Sequence, residues 1–217
     1  MKKTILKVLV GSRAHGLNDE NSDYDYRGVY ILPTKKILSL GYKYKGTDYC
    51  EGKEDNTSYE IGHFLSLAVR CNPSILEVLR SDIIKRSNIY GFMLLDLFPY
   101  IWNPQDAFNA FTGYSHCQRK KMLDKKDNRQ NKYAVAYIRT LINLTTLLRT
   151  GSFDLKVNEM YRTQLLGIRR GEWSFGNILD WAEKLKKTAE INMEKCPHKP
   201  DLEKVNDFLL KVRKENW

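Results

Sequence analysis

The hydrophobic period of this chain changes once, near residue 61, and that change decides what it can fold into. Before it, apolar residues come in short runs of strand length; after it, they recur at helical spacing. Thr4-Ile5-Leu6-Lys7-Val8-Leu9-Val10 is a branched apolar run ended by Gly11, and residues 23–32 form a second run stopped by Pro33, which has no amide hydrogen to give to a ladder. Between them, residues 11–22 are rich in Gly, Asn, Asp and Ser and read as a loop. Residues 37–44 read as strand or turn, residues 46–56 as a polar exposed loop, and residues 57–60 as the end of a short strand or the start of the next helix.

From residue 61 onward the pattern is helical. Ile61, Phe64, Leu65 and Ala68 share one face, and Asn72-Pro73 puts a capping side chain before a proline at the first turn. Residues 88–98, 105–124, 131–149, 158–169, 174–195 and 201–215 all favour helix, with Ser174 and Asp201 as N-caps and Gly151 and Gly171 as stops. The fold class expected is α+β, a small mixed sheet within residues 1–85 followed by a mainly helical half over residues 86–217.

No apolar run approaches the roughly 18–20 residues that span a bilayer, and Met1-Lys2-Lys3 leads into a run broken by Lys7, too short and polar for a secretory leader. A cytoplasmic protein is expected. Cys50, Cys71, Cys117 and Cys196 are scattered, with no zinc-type spacing, so free thiols are expected. Net charge is +10, yet residues 1–60 hold ten basic and nine acidic side chains, so the excess lies almost wholly beyond them. Residues 116–139 carry eight Lys and Arg against Asp124 and Asp127, which reads either as a footprint for a polyanion or as a solvated helix face. Tyr114, Tyr133 and Tyr137 near it are candidates for stacking a base.

The chemistry is concentrated in Gly11-Ser12, ten intervening residues, then Asp23-Tyr24-Asp25. On a strand, residues two apart share a face about 7 Å from one another, so Asp23 and Asp25 are expected on one surface. Two such carboxylates repel, and a hard divalent cation such as Mg²⁺ removes the conflict while also favouring phosphate oxygens. The Gly11-Ser12 pair supplies the complement: a backbone open to close approach by phosphate and a hydroxyl that donates to it. Arg13 and His15 in the following loop are candidates to touch a triphosphate, and Arg27 shares the carboxylate face if the strand persists.

These motifs resemble those of the DNA polymerase-β-like nucleotidyltransferase superfamily. Within it, Gly11-Ser12-Arg13-Ala14-His15-Gly16-Leu17, Ser22-Asp23-Tyr24-Asp25-Tyr26-Arg27-Gly28-Val29, Phe64-Leu65-Ser66-Leu67-Ala68 and Asn72-Pro73-Ser74-Ile75-Leu76-Glu77-Val78-Leu79 resemble the RNA-ligase-associated nucleotidyltransferases of bacteria and phages. Gly113-Tyr114-Ser115-His116-Cys117-Gln118 extends the likeness toward the end of the chain. The resemblance implies a nucleotidyltransferase-type sheet in residues 1–85 and a third carboxylate on a neighbouring strand. Asp55 is placed for it, with Glu60 the rival; Ala136 stands where a histidine is expected.

The function expected is metal-dependent transfer of a nucleoside monophosphate from an NTP to an acceptor hydroxyl, with pyrophosphate released. Asp23, Asp25 and Asp55 would bind two Mg²⁺ or Mn²⁺ ions; Gly11, Ser12 and Arg13 would hold the triphosphate; and the basic helical half would hold an RNA acceptor. The alternatives are nucleotidylation of a protein or small molecule, and a non-catalytic nucleic-acid binder of the same fold.

Overall fold

A computed structural model describes residues 1–43, 45–50, 54–124 and 128–217, the side chains of residues 50, 54 and 55 excepted. The sheet is built from β1 (Lys3–Val10), β2 (Tyr24–Ile31), β3 (Thr47–Cys50), β4 (Glu54–Glu60) and β5 (Ile84–Ser87), in the order β3-β4-β2-β1-β5. β2 and β4 run parallel and the other neighbours antiparallel, so the sheet is mixed. The α+β expectation holds. Ile5, Leu6, Val8, Leu9 and Val10 of β1 are all buried, as a continuous apolar run in a covered inner strand should be.

Two sequence readings are corrected here. Residues 47–50 and 54–56 are strand where a polar loop is expected, because β4 takes its backbone partners from β2 on one side and β3 on the other and needs no apolar run to be held. β2 starts at Tyr24, one residue later than expected, so Asp23 is the last loop residue before it.

The longer helices come where the periodicity places them, whereas the single turn at the head of residues 11–22 falls in a stretch read as loop. α1 (Gly11–Ala14) and α2 (Thr34–Ile37) are single turns; α3 (Ile61–Ala68) buries Ile61, Phe64, Leu65 and Ala68, the four residues expected on its inner face. After α4 (Pro73–Leu79), α5 (Ile89–Leu95) and α6 (Phe98–Ile101) come the long helices α7 (Pro104–Leu123), α8 (Gln130–Thr150), α9 (Glu159–Arg170), α10 (Phe175–Lys195) and α11 (Leu202–Glu215). Among the described residues, no helix is long and apolar enough to cross a membrane.

The chain forms two compact units. The first contains residues 1–70, 74–102 and 200–217; the second contains residues 71–73 and 103–199. The sheet unit therefore draws on segments from both sides of residue 85, where the sequence places a boundary. α11 belongs to it because Val205, Phe208 and Val212 are buried, Thr34 N–H donates to Asn216 O at 2.7 Å, and Thr34 Oγ1 donates to Arg213 O at 2.6 Å. Arg213 also forms a two-bond pair with Glu60, at 2.6 and 2.8 Å, and the Glu60 side chain is fully buried.

In the second unit, α8 packs against α7, α9 and α10 and buries residues around most of its circumference, the mark of a central helix. Cys71, which belongs to this unit, is buried, and burial pushes its thiol up to about 11. At pH 8 a maleimide is expected to label exposed Cys117 well before Cys71, as peptide mapping of a time course would show. Cys71 labelled first would contradict the packing.

Candidate active site

The site grows from the end of β1. The strand stops because Gly11 turns to φ +73°, a conformation that costs an L side chain about 1–2 kcal/mol. A side chain is also excluded by space: a Cβ on Gly11 would overlap Asp25 Oδ2 and lie 2.9 Å from Asp25 Cγ. The backbone of the Gly11-Ser12 turn and the Asp25 carboxylate are thus in direct approach, which the pairing of Val10 with Asp25 in the β1–β2 register requires.

The chain between these two points is tied down by its own polar groups. His15 N–H donates to Gly11 O and Leu17 N–H to Ser12 O, at 3.0 and 2.9 Å. Farther along, Ser22 Oγ donates to Asp19 Oδ1 and accepts from Asp19 N–H, both at 2.9 Å, closing the turn that delivers Asp23. Arg13 joins the two ends. Its Nε donates to Ser22 O at 2.9 Å, and its guanidinium lies 4.1 Å from the centroid of the Tyr24 ring. Tyr24 is a part of the site that the sequence reading missed, since nothing in the spacing of Arg13 and Tyr24 marks them as a pair.

Asp25 is half-buried and Asp23 is exposed. Because Asp23 precedes the strand, alternation places only Asp25 on a defined sheet face; the turn at residues 19–22 positions Asp23 instead. Asp55 stands directly opposite Asp25 in the parallel β2–β4 register. Its side chain lies outside the described residues. Among the described residues no three His, Cys, Asp or Glu side chains gather as a metal cluster.

The rival carboxylate is engaged elsewhere. Glu60 caps α3, accepting from Gly62 N–H at 2.8 Å, and is otherwise committed to Arg213. His15, a candidate for triphosphate contact, is buried with its Nε2 3.4 Å from Glu77 of α4. Arg27 is half-buried and donates to Tyr26 O at 3.1 Å. The Ser12 hydroxyl makes no hydrogen bond among the described residues, so it is available to a ligand. The Asp25 carboxylate beside the Gly11 cradle is a hard oxygen donor, of the kind that suits a divalent cation such as Mg²⁺.

The chain matches the family model described as the RNA repair pathway DNA polymerase beta family over residues 2–211. It belongs to that family. The RNA repair family assignment makes a polymerase-β-like nucleotidyltransferase the reaction class against which the site is read. An uncharacterised 38.9 kDa protein from the nrdC-mobD intergenic region of Enterobacteria phage T4 is 25% identical, over 55% of this chain and 38% of its own length. The match therefore spans well under half of that phage protein.

The basic stretch at residues 116–139 divides between roles. Arg119, Lys120, Lys121, Arg129 and Lys132 are exposed on α7, α8 and the turn between them, whereas Arg139 is buried; Lys125 and Lys126 lie outside the described residues. Tyr133 lies under Lys121 Nζ at 5.6 Å, Tyr137 is half-buried with its hydroxyl pushed up by burial, and Ala136 precedes it on α8.

Gly11→Ala tests the cradle. It is expected to destabilise the protein by about 2 kcal/mol, from the left-handed backbone and the collision with Asp25 together, read by chemical denaturation. Unchanged stability would mean that the backbone relaxes and that the close approach is not a constraint.

Proposed function

We propose that this protein is a metal-dependent nucleotidyltransferase that moves a nucleoside monophosphate from an NTP to a hydroxyl of an RNA acceptor. The observation that most supports the reading is the approach of the Gly11-Ser12 turn to Asp25, so close that no side chain fits at residue 11. That approach puts phosphate donors beside a carboxylate, an arrangement with no evident purpose in a protein that only grips a polyanion.

Asp23, Asp25 and Asp55 would hold Mg²⁺ or Mn²⁺. When bound, two such ions neutralise the attacking and leaving oxygens of phosphoryl transfer. The protein's own groups do the rest. Ser12 Oγ and the backbone N–H groups at the start of α1 hold the triphosphate, and Arg13, braced by Ser22 and Tyr24, presents its remaining guanidinium donors to it. The acceptor hydroxyl oxygen forms a bond to the α-phosphorus, the bond to the pyrophosphate oxygen breaks, and the hydroxyl proton passes to a carboxylate, for which Asp55 is our assignment. Residues 1–85 form the catalytic core in this reading. Residues 86–217 contain the acceptor-binding half, with α11 serving to brace the sheet.

The test incubates the full chain with each α-labelled NTP, Mg²⁺ or Mn²⁺, and total RNA. Label is expected in RNA from the wild type and not from Asp23→Ala/Asp25→Ala. Label found only in protein or small molecules would keep the chemistry and overturn the acceptor; metal-independent, salt-sensitive RNA binding with no transfer of any nucleotide would overturn the enzyme.

A further inference from the structure

Two adjoining clefts on the second unit take no part in the site described above. The first, about 450 Å³, is lined by Tyr161 and Gln164 of α9, by Trp173, and by Asn177, Asp180 and Trp181 of α10. The ring centroids of Trp173 and Trp181 are 5.4 Å apart and those of Tyr161 and Trp181 6.3 Å apart, so three rings make one continuous wall. All three are half-buried: each packs part of its surface on the helices and leaves the rest open. Gly167 makes room for this arrangement, since a Cβ there would lie 3.2 Å from Trp173 Nε1. In the same cleft, Gln164 Oε1 is shielded from solvent and has no hydrogen-bond partner. A terminal amide turns broadly about its last torsion, so it can be presented to a ligand on the wall.

The second cleft, about 150 Å³, shares Met160 and Tyr161 with the first. Arg139, Arg149 and Lys156 line it against one acid, Asp154. Asn143 also lines it, is 6% exposed, and has a buried Nδ2 with no acceptor. Its neighbours on α8 behave differently: Thr140 and Thr145 each bond the carbonyl four residues back, at 2.8 Å. An anion in this cleft would accept from Asn143 and meet the excess of positive charge.

A face for stacking beside a pocket for an anion is what one unpaired nucleotide requires. We propose that this composite site grips one nucleotide of a single-stranded RNA. The base lies against Tyr161, Trp181 and Trp173, and the phosphate sits among Arg139, Asn143, Arg149 and Lys156. The inference rests on the reading of RNA as acceptor, and it says where the strand is held.

The experiment measures binding of fluorescein-labelled oligoadenylate to the full chain by anisotropy across a salt series. Trp181→Ala is expected to weaken binding about tenfold with little change in salt dependence, and Trp181→Phe, which keeps a π face, to recover most of the loss. Arg149→Ala/Lys156→Ala, at two exposed positions, is expected to weaken binding and to reduce the slope of log K against log salt by about 0.7, the share of one phosphate on a single strand. Wild-type affinity in both tryptophan variants, or an unchanged slope in the charge variant, would overturn the proposal. So would a site that binds AMP with this sensitivity to substitution and ignores the oligonucleotide. Failure of the catalytic reading is distinguishable: Asp23→Asn/Asp25→Asn should bind oligoadenylate as the wild type does. If no nucleotide is transferred to any acceptor while the binding effects stand, the catalytic reading falls and this one survives. Transfer to RNA with the same acceptor KM in Trp181→Ala as in wild type would do the opposite.

Discussion

Asp25→Asn is expected to lower nucleotidyl transfer by at least about a thousandfold, roughly 4 kcal/mol of transition-state stabilisation, while leaving thermal stability close to that of the wild type. The two halves of that outcome have one cause. Asparagine is nearly isosteric with aspartate, so the packing of residue 25 against the Gly11 backbone survives the change. What is lost is the negative charge at residue 25, which follows Asp23 by two residues and is paired with Asp55 in the β2–β4 register. In the proposed reaction the change removes a hard oxygen ligand, while the shape of the side chain is kept. Labelled-NTP transfer at several Mn²⁺ concentrations, beside a melting curve, reads both. A variant that transferred nucleotide at the wild-type rate would overturn the assignment of Asp25 to the chemistry.

Arg213→Ala is expected to cost about 3–5 kcal/mol of stability, because it strands the fully buried Glu60 carboxylate without its counter-charge. For a chain of this length that corresponds to a fall in melting temperature of about 10 °C, measurable by calorimetry. Glu60→Gln/Arg213→Leu keeps an acceptor for Gly62 N–H and removes both charges, so it should recover part of the loss. The pair also separates the two carboxylates that compete for the third place in the site. Glu60→Gln should lose stability yet keep transfer per folded molecule, and Asp55→Asn should do the reverse. A melting temperature unchanged in Arg213→Ala would mean that α11 is not held through this contact.

Several elements were legible in the chain itself because the forces that set them act between near neighbours. The inner face of α3 follows from the spacing of Ile61, Phe64, Leu65 and Ala68, and all four are buried. Ser174 and Asp201 cap their helices by accepting from Asn177 and Lys204 N–H, while Gly151 and Gly171 end theirs in the left-handed region. Strands held by their neighbours were harder to read. β3 and the start of β4 are polar; β4 is a strand because β2 offers it a parallel edge, and β3 because β4 offers it an antiparallel one. Asp23 was misplaced by one residue for a related reason: the turn made by Asp19 and Ser22, rather than the pleat, positions it.

The candidate site divides along the same line. Gly11-Ser12 and Asp23-Tyr24-Asp25 are where the sequence leads one to expect phosphate and metal chemistry, from residue type and spacing alone. The collision that reserves position 11 for glycine, the register that sets Asp55 opposite Asp25, and the bond between Glu60 and Arg213 across 153 residues depend on how separate segments meet. The aromatic wall of α9 and α10 beside the cationic cleft of α8 is of the same kind. Sequence alone determined the short-range order, because periods, caps and turns are settled within a few residues; only the tertiary structure decided which distant charges, rings and carboxylates share a surface.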